Sequence, residues 1–164
     1  AEQYLGLLHE SDQAFGDFID ALQQREQPTI VVAFGDHLPV LEDEFLEASV
    51  SDKHELWNTM TFYAMWSNFE LLGDRPPENL SANYLSEIMM EKIGLPLTGY
   101  QKFLLSTAKK MPVTEGQGFI EADETYIPIE EAHNFDLFYQ QEMLQYNLMH
   151  DTKHHPDNFY SLKP

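Results

Sequence analysis

The chain has 164 residues with 43% hydrophobic and 13% aromatic content, which indicates a globular domain with a core rather than a disordered segment. Its formal charge of −19, from 9 Lys and Arg against 28 Asp and Glu, argues against binding to nucleic acid or anionic membrane surfaces. The acidic residues are interpreted as a solvated surface, the alternative being carboxylates that concentrate cations near a metal site. The absence of cysteine excludes disulfides and thiolate ligands, and no apolar run is long enough to predict a membrane span.

The first predicted element is an amphipathic helix over residues 2–26. Gln27 and Pro28 end it, because the residue before a proline disfavours helical geometry. A long helix that leads straight into a buried strand is half of a crossover unit, which needs a preceding strand. We therefore expect the chain to begin in the middle of a larger domain. The apolar residues at three- and four-residue spacing are Tyr4, Leu8, Phe15, Phe18, Ile19 and Leu22.

A strand is predicted over residues 29–34, because this run is apolar, unbroken and rich in β-branched residues. Such a run is typical of a strand buried on both faces in a parallel sheet. Gly35 then lets the backbone turn, and Asp36 and His37 lie side by side where the strand ends. Ligands gather at this end of the strands in α/β sheets, and a carboxylate beside an imidazole suits a divalent cation such as Mn²⁺ or Zn²⁺. The alternative is that Asp36 is a turn residue or a helix cap.

The next segment is predicted to contain a short acidic helix over residues 41–47 and a polar loop over residues 48–58. His54 in that loop is interpreted as a solvated histidine rather than as part of a site. Residues 59–67 are apolar at both alternating sets of positions, which predicts a second buried strand in the same sheet as the first. Asn68 follows its end, and a turn role is the default interpretation. The strand residues expected to be buried are Ile30, Val32, Phe62, Ala64 and Trp66.

Two helices are predicted in the middle of the chain, after a loop rich in Gly and Pro. Ser81 is the expected N-cap of a helix over residues 82–93. Thr98 and Gln101 form a Thr-x-x-Gln capping box at the start of a helix that runs to Lys110.

A small antiparallel hairpin or edge strand is predicted over residues 113–128, and a final helix over residues 130–149. His150, His154 and His155 follow this helix. Closely spaced histidines can bind a metal, but their position after the last helix favours a mobile or loosely packed tail.

Four segments, taken in order, resemble one known family. The run from Pro28 to Pro39, Pro-Thr-Ile-Val-Val-Ala-Phe-Gly-Asp-His-Leu-Pro, is similar to the late metal-binding motif of the lipoteichoic acid synthase and phosphoglycerol transferase family. The resemblance continues through Thr61 to Phe69, Leu80 to Leu105 and Glu142 to Asn147. This family belongs to the sulfatase branch of the alkaline phosphatase superfamily. The resemblance therefore implies an α/β fold that contains the C-terminal portion of a sulfatase-like sheet, flanking helices and a small antiparallel hairpin.

The resemblance also implies a chemistry. Enzymes of this family transfer a glycerol-phosphate group, or cleave a related ester, with a threonine nucleophile and a divalent metal, commonly Mn²⁺, with Mg²⁺, Ca²⁺ and Zn²⁺ as alternatives. Two adjacent ligands of that metal match Asp36 and His37. The implied substrate is a lipid that bears phosphoglycerol, and the implied location is the extracellular face of a bacterial cell membrane, with anchoring segments upstream.

One part of the family pattern has no match in this chain. The nucleophilic threonine, an acidic metal ligand and a substrate-contacting histidine of the family lie upstream of the strand that precedes Asp36. We therefore expect residues 1–164 to be a single partial domain, inactive alone, whose partner is the upstream part of its own catalytic domain, and whose incomplete sheet favours self-association. The alternatives are a sulfatase or phosphoethanolamine-transferase-like hydrolase of the same superfamily, or a non-catalytic acidic interaction module.

Overall fold

The computed structural model of the chain describes residues 2–38, 60–155 and 158–162. The chain divides into two compact units, Ala1–Leu71 and Leu72–Pro164. The described part of the first has one helix and a two-stranded antiparallel sheet, and that of the second has several helices and a three-stranded antiparallel sheet. The predicted helix 41–47, the loop 48–58 and His54 lie outside the described residues. The expectation of one partial domain stays a prediction.

The first unit begins with helix α1, Glu2–Gln23, which confirms the predicted amphipathic helix. Of its apolar stripe, Leu22 is buried by the described residues, and Tyr4 and Ile19 are half-buried. The remaining members of the stripe are exposed, so the face that the sequence marks as apolar is largely uncovered within the described part of this unit. These exposed residues are Leu8, Phe15 and Phe18.

The sheet of this unit pairs strand β1, Ile30–Phe34, with strand β2, Tyr63–Ser67. The two strands are antiparallel, with Ile30 opposite Ser67. The prediction that both segments are strands of one sheet is therefore confirmed, whereas the parallel arrangement expected for β1 is wrong for its pairing with β2. Strand β2 runs beside β1 in the opposite direction. An apolar run indicates that a strand tends to be buried, but it does not specify whether the neighbouring strand is parallel or antiparallel.

The predicted burial of these strands is also wrong. Ile30, Val32 and Trp66 are half-buried, Ala64 is exposed, and Phe62 is 65% exposed. A two-stranded sheet has two faces, and the described residues of this unit do not cover both. The apolar residues of the two strands therefore form a surface that the described residues of this unit leave exposed.

The side chain of Asn68, at the end of β2, hydrogen-bonds to the connection between α1 and β1. Its Oδ1 accepts a hydrogen bond from the Thr29 amide at 2.8 Å, and its Nδ2 donates to the carbonyls of Arg25 and Gln27 at 3.0 and 3.1 Å. The turn role expected for Asn68 is thus confirmed, and the side chain fixes where β1 starts.

The second unit starts with a loop that is tied to the next helix. A 3₁₀ turn, Ala82–Tyr84, leads into helix α2, Leu85–Lys92. The Leu72 amide donates to the Lys92 carbonyl at 2.9 Å, and Lys92 Nζ donates to the Asp74 carbonyl. Residues 72–74 are therefore held against the end of α2.

Ser81 occupies the predicted N-cap position, at the start of the 3₁₀ turn, but the capping role predicted for its side chain is wrong. Its side chain makes no capping bond to the following turn. Instead, Ser81 Oγ donates to the Thr114 carbonyl at 3.0 Å and accepts from the Thr114 amide at 2.7 Å. A hydroxyl has a donor and two acceptor positions, and here a strand 33 residues away takes the place of the local partner.

The predicted capping box is confirmed at helix α3, Gly99–Ala108. The Gln101 amide donates to Thr98 Oγ1, and Gln101 Oε1 accepts from the Thr98 amide. These two bonds satisfy donors that a helix start would otherwise leave without a partner.

The predicted hairpin is a three-stranded antiparallel sheet, with β3, Val113–Glu115, next to β4, Gly118–Ile120, and β4 next to β5, Tyr126–Pro128. Gly118 has φ +152°, and a Cβ at this position would overlap the Ile127 carbonyl oxygen. The close approach of β4 to β5 therefore requires glycine here.

The predicted final helix is divided into α4, Ile129–Ala132, and α5, Asp136–His150. Turn bonds from Asn134 to Glu131 and from Phe135 to Ala132 separate them. The break allows Phe135 to meet Phe119 edge to face, with ring centroids 5.2 Å apart. The core around this contact consists of Met111, Phe119, Ala132 and Phe138.

The residues after α5 contact the rest of the unit, which corrects the expectation of a loosely packed tail. Tyr160 donates its hydroxyl to the Leu144 carbonyl at 3.0 Å, and the Tyr100 amide donates to the Phe159 carbonyl at 2.9 Å. His155 is half-buried, and its Nε2 hydrogen-bonds the Asn147 carbonyl at 3.0 Å.

Candidate metal centre

Asp36 and His37 lie directly beyond the end of β1, where contacts to the returning chain fix the backbone. The Gly35 amide donates to the Phe62 carbonyl at 3.0 Å, and Thr61 Oγ1 donates to the Gly35 carbonyl at 2.7 Å. A Cβ at position 35 would lie 2.9 Å from the Cβ of Thr61. Glycine is therefore required at this position by close packing against Thr61.

A local hydrogen-bond pattern orients both side chains. The His37 amide donates to Asp36 Oδ1 at 2.9 Å, and His37 Nδ1 lies 2.9 Å from the Leu38 carbonyl oxygen. Because a carbonyl oxygen only accepts, Nδ1 carries the proton of this bond. In the neutral imidazole, Nε2 then keeps its lone pair, which is the tautomer that a metal ligand needs.

The distance between the free atoms fits a shared divalent ion. His37 Nε2 and Asp36 Oδ2 are 3.5 Å apart. Two ligands bound at about 2.1 Å lie roughly 3.0 Å apart at a right angle and about 3.4 Å apart at a tetrahedral angle. A carboxylate oxygen with an imidazole nitrogen also matches the donors preferred by Zn²⁺ and Mn²⁺.

The pair is open to further ligands. The side chains of Asp36 and His37 are 84% and 76% exposed. Within the described ranges, no group of three or more His, Asp or Glu residues is placed to hold a metal ion. Asp36 and His37 therefore supply two donors, and their assignment as metal ligands stays a prediction.

The other residues considered from the sequence lie elsewhere. Asn68 has the turn role described above. His154 Nδ1 pairs with Asp151 Oδ1 at 2.7 Å, and His155 bonds to a backbone carbonyl, so these two histidines have separate partners.

Two supporting groups of the site were missed by sequence reasoning. Thr61 holds the Gly35 carbonyl, although it lies 26 residues further along the chain. The Leu38 carbonyl selects the tautomer of His37. The contact between Thr61 and Gly35 could have been predicted only by assuming that the two strands pair antiparallel, because such pairing places the start of the second strand beside the end of β1.

With this geometry established, the family of the chain follows from its sequence. Residues 1–90 match the sequence model of the sulfatase family, and this match includes Asp36, His37, Thr61 and Asn68. The match covers more than half of the chain. The chain therefore belongs to the sulfatase family, as its ordered motifs indicated. No protein of curated function matches it in sequence.

The fold is similar to that of a solved structure, Streptococcus pyogenes phosphoglycerol transferase GacH in complex with sn-glycerol-1-phosphate. The TM-score is 0.58 and the sequence identity is 21%, over 93% of this chain and 36% of that chain. The match thus spans about a third of the length of the chain in that structure. The likeness confirms the predicted α/β fold class, which here combines helices with small antiparallel sheets.

Proposed function

We propose that this chain is part of a metal-dependent phosphoglycerol transferase of the lipoteichoic acid synthase type. Asp36 and His37 contribute two ligands to its divalent cation, Mn²⁺ in the first place and Mg²⁺, Ca²⁺ or Zn²⁺ as alternatives. Membership of the sulfatase family and the fold shared with a phosphoglycerol transferase support this proposal.

The observation that carries the proposal is the arrangement of His37. Its Nδ1 is occupied by the Leu38 carbonyl, while its Nε2 points to the same space as Asp36 Oδ2, 3.5 Å away. A histidine that binds a metal through Nε2 commonly donates its other N–H to a carbonyl in this way.

The roles of the two residues follow from their chemistry. A bound cation would withdraw charge from phosphoryl oxygens and favour the alkoxide form of a hydroxyl nucleophile. Asp36 supplies negative charge close to that cation, and His37 supplies a neutral nitrogen, which must be deprotonated to bind. The nucleophile of the proposed enzyme is a threonine outside this chain, as the family resemblance implies.

The proposal includes further partners. The apolar surface of α1 and of the β1–β2 sheet that is exposed among the described residues would be a suitable contact for a further part of a catalytic domain. The substrate would be a lipid that bears phosphoglycerol, at the extracellular face of a bacterial membrane. Among the described residues, no helix combines the length and the apolar character that a bilayer span requires.

The first prediction is tested by titrating Mn²⁺ into the 164-residue chain and recording NMR spectra. Paramagnetic broadening is expected first at the amides of Gly35, Asp36, His37 and Leu38. Binding should be weak, because two protein ligands leave the remaining positions to water. Asp36→Asn and His37→Gln should each abolish the selective broadening.

Asp12→Asn is the matched control, since it removes one exposed carboxylate from the same unit without changing the pair. Broadening that persists in both site variants, or that disappears equally in the control, contradicts the metal assignment. In a longer protein that contains this chain, Asp36→Ala or His37→Ala should lower metal-dependent turnover by roughly a hundredfold or more. Turnover near the wild-type level in both variants would refute the function.

The choice between activities of the superfamily needs a substrate comparison. A phosphoglycerol transferase should act on a phosphoglycerol lipid and not on an aryl sulfate, whereas a sulfatase should show the reverse preference. The isolated chain should turn over neither, because a covalent intermediate requires a nucleophile in addition to the metal.

A further inference from the structure

A groove of about 500 Å³ lies in the second unit, between α5, the 3₁₀ turn and the end of β3. Its volume is within the range of small-molecule sites, about 300–1,000 Å³. It lies entirely within residues 81–145 and includes neither Asp36 nor His37. Its polar lining consists mainly of amides, carboxylates and hydroxyls: Asn83, Thr114, Glu115, Gln141, Glu142 and Gln145.

The polar groups of the groove are organised around one buried hydroxyl. Tyr84 is fully buried and donates its hydroxyl to Gln141 Oε1 at 2.9 Å. The side chains of Asn83 and Thr114 lie beside the same hydroxyl. A buried polar network of this kind fixes its members in one arrangement, so the groove is formed before a ligand arrives.

Gln141 is the residue that points to a ligand. It is 5% exposed, and its Oε1 is occupied by Tyr84. Its Nε2 has no hydrogen-bond partner among the described residues, yet it is not one of the fully enclosed unpaired atoms, so it opens to the groove. A nearly buried amide that keeps two N–H donors without a protein partner is costly unless water or a ligand accepts them.

The charge of the groove restricts the ligand. None of the residues that line it, all within the described part, is Lys or Arg, and two of them are glutamates. Glu142 is held by His133, whose Nδ1 lies 3.0 Å from Oε2. Together with the formal charge of −19, this lining disfavours anionic ligands.

The hydrogen-bonding capacity indicates a ligand with many hydroxyl groups. Each sugar hydroxyl both donates and accepts, and amides and carboxylates offer matching acceptors and donors. Gln141 and Gln145 lie one turn apart on α5 and present two amides to the same groove. Ile129 and Phe138 add apolar lining on which the C–H face of a sugar ring can rest.

We propose that this groove binds a neutral pyranose sugar, as a unit of an oligosaccharide. The proposal does not depend on the function proposed for the metal centre. It is tested by NMR titration of the full chain with maltose and cellobiose. The expected result is a selective shift of the side-chain amides of Gln141 and Gln145 and of the backbone amides of Asn83 and Glu115, with millimolar affinity.

Variants and matched compounds decide the outcome. Gln145→Ala should weaken sugar binding about threefold to tenfold, while Gln140→Ala, an exposed glutamine of the same helix outside the groove, should leave it unchanged. Because the ligand is neutral, affinity should not change between low and high NaCl, and glucose 6-phosphate should bind more weakly than maltose. The proposal is overturned if neither disaccharide shifts the groove signals, if Gln140→Ala weakens binding as much as Gln145→Ala, or if glucose 6-phosphate binds best.

Discussion

Asn68 shows how one side chain positions the strand that leads to the candidate metal centre. Its amide group accepts from Thr29 and donates to two carbonyls of the α1–β1 connection. Asn68→Asp keeps the acceptor but turns an oxygen toward the carbonyls of Arg25 and Gln27. We predict a loss of about 1–2 kcal/mol in stability, measured as faster hydrogen exchange of the Thr29 amide.

The control for this substitution is Asn134→Asp, the same chemical change at an exposed residue of the second unit. It should leave exchange at Thr29 unchanged. Equal exchange rates in the two variants would show that the Asn68 hydrogen bonds do not hold the start of β1.

Tyr84 predicts how stability depends on alkaline pH. Burial raises the pKa of its hydroxyl above the ordinary value of 10.0. The folded chain therefore keeps this proton at a pH where the unfolded chain has lost it, so the free energy of unfolding falls as pH rises from 10 through the folded pKa. Tyr84→Phe should show a smaller alkaline loss in urea unfolding, although the missing bond to Gln141 lowers its stability at pH 7 by about 1 kcal/mol.

Tyr139→Phe, which removes the hydroxyl of an exposed tyrosine, is the matched variant for this comparison. If Tyr84→Phe and the wild type lose stability in parallel above pH 10, the buried hydroxyl does not contribute to the alkaline transition.

The pairing of β4 with β5 depends on glycine at position 118. Gly118→Ala would place a methyl group against the Ile127 carbonyl and force an L-residue to φ +152°. We expect a loss of about 3 kcal/mol in the free energy of unfolding. Gly116→Ala, in the turn that precedes β4, meets no atom within 4 Å and should change stability by less than about 0.5 kcal/mol. Similar urea midpoints for both variants would contradict this account of the sheet.

Elements specified by local signals could be predicted from the sequence. The Thr98–Gln101 capping box depends on residues within one turn, and α1 depends on a periodicity that needs no partner. The capping role predicted for the Ser81 side chain failed because Thr114, far along the chain, competes for the same hydroxyl. The break before α5 was missed because the contact of Phe135 with Phe119 outweighs helix continuity.

The candidate site divides in the same way. Asp36 and His37 stand out because two unusual donors follow an apolar strand. Burial of Phe62 and Ala64 could not be predicted correctly, because an apolar residue reports its preference and not whether other atoms cover it. The approach of Thr61 to Gly35 depends on strand register, which the sequence pattern leaves open.

Large exposed apolar side chains coexist in this chain with a formal charge of −19. Apolar contact favours association of two copies, and mutual repulsion opposes it. Because salt shortens the range of repulsion, we predict a monomer at low NaCl and growing self-association as NaCl is raised, observed by sedimentation velocity. The exposed residues of the first unit include Leu8, Phe15, Phe18, Phe34 and Phe62.

A double variant tests which surface is responsible. Leu8→Gln with Phe15→Gln should suppress the salt-induced association, and Leu95→Gln with Leu162→Gln, at exposed positions of the second unit, should not. A sedimentation profile that is independent of salt would contradict the balance proposed here.

The contact between Gly35 and Thr61 also limits which mutations the site can accept. Every missense change that one base substitution can make in a glycine codon adds a Cβ, and any Cβ at position 35 meets the Cβ of Thr61 at 2.9 Å. Thr61→Ser would not relieve this overlap, because serine keeps that carbon. Glycine at position 61 would relieve it, but would remove the hydroxyl that holds the Gly35 carbonyl. Residues 35 and 61 therefore constrain each other during mutation. Any single-base missense change in the Gly35 codon is expected to displace the backbone that positions Asp36.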